Sequence, residues 1–202
     1  MKRILLLLVV TACLAQQPPD EPGLYATFDT SFGIIRARLF ENEVRSTVRN
    51  FVQLAQGTKP WGDPVTHKVV ARPFYKNITW HRVITFFMIQ TGSQTASTAE
   101  DCGIRIRDEV VPTLNFDVPG RLAMANTGEK DSGGCQMFIT EVADPKMNGK
   151  YTIFGQVVEG MEVVKKISRV IKDENDKPRL PVKLNNVTIK RIFPPTKPEA
   201  KP

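Results

Sequence analysis

The feature that most constrains the fold is a series of short segments rich in β-branched and aromatic residues. Each is bounded by glycine, asparagine, aspartate or proline, and this punctuation is typical of strands joined by short turns. The eight segments are 24–30, 34–40, 78–84, 87–90, 121–125, 137–140, 152–158 and 187–192. Ser31-Phe32-Gly33 lies between the first two, so the domain is predicted to open with an antiparallel hairpin.

Helical periodicity is confined to two segments. One runs from Asn42 to Gly57, where apolar residues recur at near-helical spacing and the glycine stands where a helix would end. The other is 161–170, in which Val163, Val164 and Ile167 share that spacing. Parallel strands would each need a crossover connection, so many strands with two helices favour an antiparallel fold. A barrel and a sandwich both fit the pattern.

Residues 1–15 have the anatomy of an export signal: basic residues, an apolar segment at 4–10, and then small residues. The run Val10-Thr11-Ala12-Cys13 resembles the lipobox of bacterial lipoproteins, in which the cysteine is lipidated. Acylation of Cys13 would anchor the protein to a membrane. The alternative is cleavage after Ala15, which would release a soluble exported protein. The protein is therefore expected to be exported, and either periplasmic or anchored through Cys13.

The remainder of the chain is predicted to form one domain with extended ends. Residues 16–22 are polar and contain proline, which is typical of a tether. The folded domain is assigned to 23–193. Prolines recur through 194–202, and because proline lacks the backbone N–H of a regular ladder, an extended tail is expected there.

Several classes of function are excluded by composition. Two histidines and three cysteines are too few, and wrongly spaced, for a closed zinc site, and no phosphate-binding glycine motif is present. No metal or other cofactor is therefore expected. The net charge of +7 comes from scattered lysines and arginines, so nucleic acid is not an expected partner. No serine occupies a nucleophile elbow, which argues against a hydrolase.

Three motifs resemble those of one enzyme family. The run W-H-R-V-I-T-F-F-M-I-Q-T-G at 80–92 resembles the F-H-R-V-I-x-x-F-M-x-Q-G-G signature of cyclophilins. The segments at 120–128 and 134–140 resemble the family's G-x-L-S-M-A-N and S-Q-F-F-I blocks, and 148–155 resembles L-D-G-K-H-x-V-F-G. The resemblance covers about residues 24–192.

The resemblance implies an eight-stranded antiparallel β-barrel capped by two α-helices. It also implies a monomeric peptidyl-prolyl cis-trans isomerase that binds proline-containing polypeptides in a groove outside the barrel and assists the folding of exported proteins. Arg82 would be the catalytic side chain. The residues that would bind substrate are Phe87, Met88, Gln90, Ala125, Asn126, Thr127, Gln136, Phe138, Met147 and Tyr151.

An arginine suits this chemistry. Rotation about an X-Pro bond is slow because it destroys amide resonance, at a barrier of ~18–20 kcal/mol. A guanidinium is always charged and offers several fixed N–H donors, so it could stabilise the lone pair that develops on the prolyl nitrogen without transferring a proton. His81, next to Arg82, is interpreted as a structural hydrogen-bonding residue and not as a base.

The chain departs from the family pattern at the groove. Tyr151 stands at the family's histidine position, and Lys146 stands where a tryptophan is often found. Tyrosine retains a hydrogen bond and an apolar face, so activity should survive, whereas cyclosporin binding is expected to be weak. The same departures motivate an alternative function, a binding module or chaperone that grips proline-containing segments without turnover. A structural envelope protein is a third possibility, which rests only on the anchor.

The two cysteines outside the leader raise a further hypothesis. By the resemblance, Cys102 and Cys135 lie in loops that border the pocket for residues preceding the proline. In an oxidising compartment they could form a disulfide across this rim. Two separate buried thiols are the alternative.

Overall fold

The computed structural model describes residues 21–100 and 102–194. The export signal, Cys13, residues 16–20 of the tether and residues 195–202 of the tail lie outside the described residues. The strands are β1 (Gly23–Thr30), β2 (Gly33–Leu39), β3 (Trp61–Asp63), β4 (Lys68–Val70), β5 (Ile78–Thr79), β6 (Arg82–Ile84), β7 (Met88–Thr91), β8 (Arg121–Met124), β9 (Met137–Thr140), β10 (Ile153–Glu159) and β11 (Lys183–Ile192). The helices are α1 (Arg45–Gln56) and α2 (Met161–Ser168). Within the described residues, neither helix has the length and hydropathy needed to cross a bilayer.

Nine strands form one antiparallel sheet in the order β5-β11-β1-β2-β10-β8-β9-β7-β6. Its edge strands, β5 and β6, are separated in the chain only by Trp80 and His81. The sheet therefore curls until its two edges are linked, which gives a barrel-like fold. The predicted antiparallel architecture with two helices is confirmed, and the hairpin of β1 and β2 is present.

The sheet contains nine strands where eight were predicted, because the segment 78–84 does not form one continuous strand. Its first part pairs with β11 and its last part pairs with β7. Between them the Trp80 N–H bonds to Val182 O at 2.9 Å, and the His81 N–H bonds to Gln90 O at 3.1 Å. The backbone thus changes its hydrogen-bonding partner from the β11 side of the sheet to β7 within two residues. A separate two-stranded sheet, formed by β3 and β4, lies between α1 and β5 in the chain.

The helices begin and end close to the predicted positions. Helix α1 begins three residues after Asn42, and Gly57 ends it in the left-handed conformation at φ 73°. That conformation favours glycine, which has no Cβ to clash with the backbone. The buried face of α1 includes Val48, Phe51 and Leu54, which pack against the inside of the sheet. Helix α2 is shorter than predicted and ends at Ser168.

The strands β6 to β9 use their two faces differently. Side chains alternate across a strand, so Val83, Ile89 and Ile139 enter the main core, whereas Met88 and Phe138 point to the other face. On that outer face the apolar side chains form a smaller cluster, which we call the outer cluster. Its buried members are Met88, Phe116, Ala123, Phe138, Met147 and Ile153.

Candidate active site

A groove of about 490 Å³ lies over the outer cluster. It brings together nine of the residues that the sequence predicted for the site. These are Arg82, Phe87, Met88, Gln90, Ala125, Asn126, Thr127, Phe138 and Tyr151. The groove therefore combines apolar, polar and cationic side chains drawn from strands β6, β7 and β9 and from the loops that follow β6, β8 and β9.

Arg82 stands at the edge of the groove on β6. It pairs in register with Gln90 on β7, which lies directly opposite. Arg82 Nη1 lies 3.5 Å from Gln90 Oε1, and Arg82 Nε lies 3.9 Å from Asp176 Oδ2. The Arg82 side chain is 39% exposed, so the charged guanidinium is accessible to a peptide bound in the groove.

The floor of the groove is aromatic. The ring of Phe138 stacks on Phe116 at a centroid distance of 6.0 Å, and the ring of Tyr151 meets Phe138 edge-on at 5.2 Å. Both distances fall in the favourable range for aromatic pairs. Met147 is a buried member of the outer cluster and is not among the residues that line the groove. A floor of this size and polarity suits a small saturated ring such as that of proline.

Gln136 lies behind the groove and joins several of its parts. Its Nε2 lies 3.1–3.3 Å from the carbonyl oxygens of Ser97, Thr98 and Glu100, which share its two N–H donors, so its Oε1 is the acceptor. This oxygen accepts from Gln90 Nε2 at 2.8 Å and lies 3.2 Å from His81 Nε2. His81 Nε2 therefore carries the proton. Gln136 itself lines an adjoining hollow of about 270 Å³ and not the groove.

Burial lowers the pKa of His81 from its ordinary value of 6.5 to about 4. The imidazole is thus neutral at physiological pH and serves as a hydrogen-bond donor, in agreement with the role proposed from the sequence.

We expect the stability of the fold to depend on this histidine in acid. The unfolded chain takes up a proton at His81 near pH 6.5, whereas the folded chain does so only near pH 4. The free energy of unfolding should therefore fall by up to roughly 3 kcal/mol as pH decreases through that interval. Denaturant unfolding of the wild type and of His81→Gln across this range measures the difference. A constant difference between the two proteins would contradict the prediction.

The turn between β6 and β7 is held by Glu141, a buried residue. The Glu141 carboxylate accepts hydrogen bonds from the Phe86 N–H at 2.9 Å and from Ser168 Oγ at 2.6 Å, and it pairs with Arg169 at 2.7 Å. Phe86 adopts a φ of 58°, which is rare for an aromatic residue. These contacts support the unusual backbone conformation of Phe86 in the turn beside the groove.

Cys102 and Cys135 form a disulfide, with their Cα atoms 6.4 Å apart. Cys135 directly precedes Gln136, and both cysteines line the adjoining hollow. The Cys135 carbonyl also accepts a hydrogen bond from the Tyr75 hydroxyl at 2.9 Å. The bridge therefore ties the loop after β7 to the start of β9 at the rim of the site.

Three groove residues were not predicted from the sequence: Thr98, Asn175 and Asp176. Thr98 lies in the loop after β7, and the other two lie in the loop after α2. None belongs to the three motifs, and no spacing pattern connects these loops to the strands. The cluster of charged residues at 172–177 is the only sequence signal near Asp176, and by itself it indicates an exposed turn.

A curled antiparallel sheet carrying such a groove on its outer face is the architecture of a class of peptidyl-prolyl isomerases. The family model of the cyclophilin type peptidyl-prolyl cis-trans isomerase/CLD matches residues 25–189, and the chain belongs to this family of enzymes.

Related proteins and structures agree with that membership. Peptidyl-prolyl cis-trans isomerase A of Mycobacterium tuberculosis is 43% identical over 166 residues, which cover 81% of this chain and 91% of the relative. Peptidyl-prolyl cis-trans isomerase B of Streptomyces anulatus is 37% identical over 174 residues, covering 86% and 98%. A solved cyclophilin type isomerase of Cryptosporidium parvum matches with a TM-score of 0.72 at 25% identity, covering 84% of this chain and 98% of that one.

Proposed function

We propose that the groove binds X-Pro segments of exported polypeptides and accelerates rotation about the bond before proline, so that the enzyme assists their folding. The observation that carries this proposal is the position of Arg82, whose guanidinium edges a groove with an aromatic floor. The Cryptosporidium parvum isomerase has also been solved in the presence of the dipeptide Ala-Pro, and that structure matches with a TM-score of 0.71. A dipeptide of this kind contains the bond on which the groove would act.

The proposed mechanism needs no proton transfer. The proline ring would sit on Phe138 and Met88, where apolar contact fixes the ring while the preceding residue turns. The Arg82 guanidinium would donate a hydrogen bond to the prolyl nitrogen as that atom becomes pyramidal and loses amide resonance. Such a bond is stronger in the twisted state than in the planar one, and each ~1.4 kcal/mol of this difference is worth tenfold in rate.

The main chain of the substrate would be held by polar groups along the groove. Gln90 Nε2 is engaged by Gln136, which fixes the amide and aims Gln90 Oε1 at Arg82. Asn126 is oriented by its own bonds, because its Nδ2 donates to Lys150 O at 2.9 Å. These supports prearrange the site before substrate arrives, and prearranged donors cost no reorganisation during the reaction.

The export signal and lipobox motivate a location outside the cytoplasm. We propose that residues 1–15 direct export, with Cys13 as the anchored residue. Membrane fractionation of cells that make the wild type or Cys13→Ser tests the anchor. Equal recovery of both proteins in the soluble fraction would refute it.

The floor of the groove provides the test of function. Wild-type protein should accelerate isomerisation of a short X-Pro peptide and the proline-limited refolding phase of a substrate protein. Phe138→Ala should lower kcat/KM for the peptide by about 10- to 100-fold, because a buried aromatic side chain contributes about 1.5–3 kcal/mol of apolar contact.

The matched control is Phe193→Ala, since Phe193 is 74% exposed and does not line the groove. Circular dichroism verifies that both variants are folded. A wild type that binds the peptide without accelerating its isomerisation would favour the binding-module alternative. Equal activity of the wild type and Phe138→Ala would place the reaction outside this groove.

A further inference from the structure

We propose that Asp176 is a positioning residue for Arg82, and that the loop after α2 serves to deliver it. The inference rests on the proposed role of Arg82 and deepens it. Asp176 lies 94 positions after Arg82 in the chain, yet both side chains line the groove, and Asp176 Oδ2 lies 3.9 Å from Arg82 Nε.

The loop is attached to the strand that carries Arg82. Strand β6 is an edge of the sheet, so the backbone groups on its outer side have no strand partner in the described part of the chain. The loop supplies these partners: the Val83 N–H donates to Asp176 O at 2.8 Å, and Lys172 Nζ donates to Val83 O at 2.9 Å. Both backbone groups of the residue next to Arg82 are therefore bonded to this loop, which fixes its position along β6.

The turn that presents Asp176 is also fixed internally. Asp173 Oδ1 accepts from the N–H groups of Asn175 and Lys177, both at 2.9 Å. Asp176 has a φ of 61°, a conformation that aspartate adopts more readily than most residues. The backbone from which the carboxylate projects is thus defined, and the contact of Lys172 Nζ with Oδ1 restrains the carboxylate itself.

The two oxygens of Asp176 contact different cations. Oδ1 accepts from Lys172 Nζ at 2.6 Å, and Oδ2 faces Arg82 Nε. Because the positive charge of Lys172 offsets the negative charge of the Asp176 carboxylate, the positive charge of Arg82 still acts on the groove. We therefore assign Asp176 an orienting role rather than a neutralising one.

Arg82 has two supports in this arrangement. Gln90 contacts Nη1 of the guanidinium, and Asp176 contacts Nε. Both contacts are long, and the side chains are 39% and 30% exposed for Arg82 and Asp176, so each alone is weak. Together they limit the rotation of a long flexible side chain while leaving other N–H groups for the substrate.

The test is a double-mutant cycle on kcat for an X-Pro peptide. Asp176→Ala should lower kcat about fivefold with little change in KM, since Asp176 orients the Arg82 guanidinium, which interacts most strongly with the twisted state. The kcat of Asp176→Asn should lie between those of the wild type and Asp176→Ala. In an Arg82→Lys background the Asp176→Ala change should have almost no further effect, because lysine has no Nε donor in that position.

Glu174→Gln is the matched control, since Glu174 is an exposed acid in the same loop and its replacement makes the same change in net charge as Asp176→Asn. This variant should keep wild-type kcat. The NMR signal of the Arg82 Nε–H group provides a second readout, and it should broaden or shift in Asp176→Ala.

Three outcomes would overturn the inference: equal losses in Glu174→Gln and Asp176→Asn, additive losses in the cycle, or an unchanged kcat in Asp176→Ala. Additive losses would mean that Asp176 acts on the substrate directly. If Arg82→Lys alone left turnover unchanged, the proposed role of Arg82 would itself fail, which is distinguishable from each of these results.

Discussion

Arg82→Ala should lower kcat/KM for a short X-Pro peptide by at least about 100-fold. The substitution removes a donor that is oriented toward the groove, and loss of one oriented donor in other enzymes costs about 10²–10³ in rate. The side chain is half-buried and contacts Gln90 and Asp176 only through long bonds, so the fold should survive its removal. A protease-free isomerisation assay at several enzyme concentrations measures the effect.

Two further variants make this result specific. Arg179→Ala removes the same charge from an exposed position in the loop after α2 and should retain wild-type turnover. Arg82→Lys keeps the charge but loses the planar set of donors, so it should recover only part of the activity. Unchanged turnover in Arg82→Ala would overturn the assignment of this residue.

Loss of the Cys102–Cys135 disulfide should cause a large fall in the free energy of unfolding. The bridge closes a loop with a sequence separation of 33 residues, and in the chain-entropy account a loop of this length contributes about 3–4 kcal/mol. For a protein of this size that corresponds to a fall of about 10 °C in Tm. Thermal melts of the oxidised protein with and without reductant measure it.

The double variant Cys102→Ser/Cys135→Ser supplies the control. It should melt close to the reduced wild type, and reductant should not lower its Tm further. Alkylation followed by mass spectrometry of the native protein tests the bridge directly. Two alkylated thiols at these positions would show that the native protein lacks it.

Most of the sheet could be predicted because strand alternation and turn residues are local properties of the sequence. The break between strands β5 and β6 at Trp80 and His81 could not be predicted, since the pattern of the segment 78–84 indicates one continuous strand. The change of partners there depends on which strands approach from each side, Val182 on one and Gln90 on the other. That information lies in distant parts of the chain.

The groove illustrates the same limit. Residues from the three motifs line the one groove, because each motif occupies a strand or an adjoining loop of the same outer face. Examples are Arg82, Phe138 and Tyr151. Met147 and Gln136 were also expected at the site; Met147 belongs to the outer cluster, and Gln136 lines the adjoining hollow and bonds to Gln90. Asp176 could not be found by spacing, because its place depends on how a long loop docks on the edge of β6.

The two faces of strands β6 to β9 carry side chains with different roles, and this arrangement limits how the enzyme can change in evolution. Met88 and Phe138 contact the groove, whereas their sequence neighbours Ile89 and Ile139 contact only the interior. Natural selection or protein engineering can therefore alter ligand preference at every second position while the intervening residues preserve foldability. An insertion of a single residue in β7 would exchange the two roles at once, so adaptation of this enzyme should proceed by substitution and not by changes in strand length.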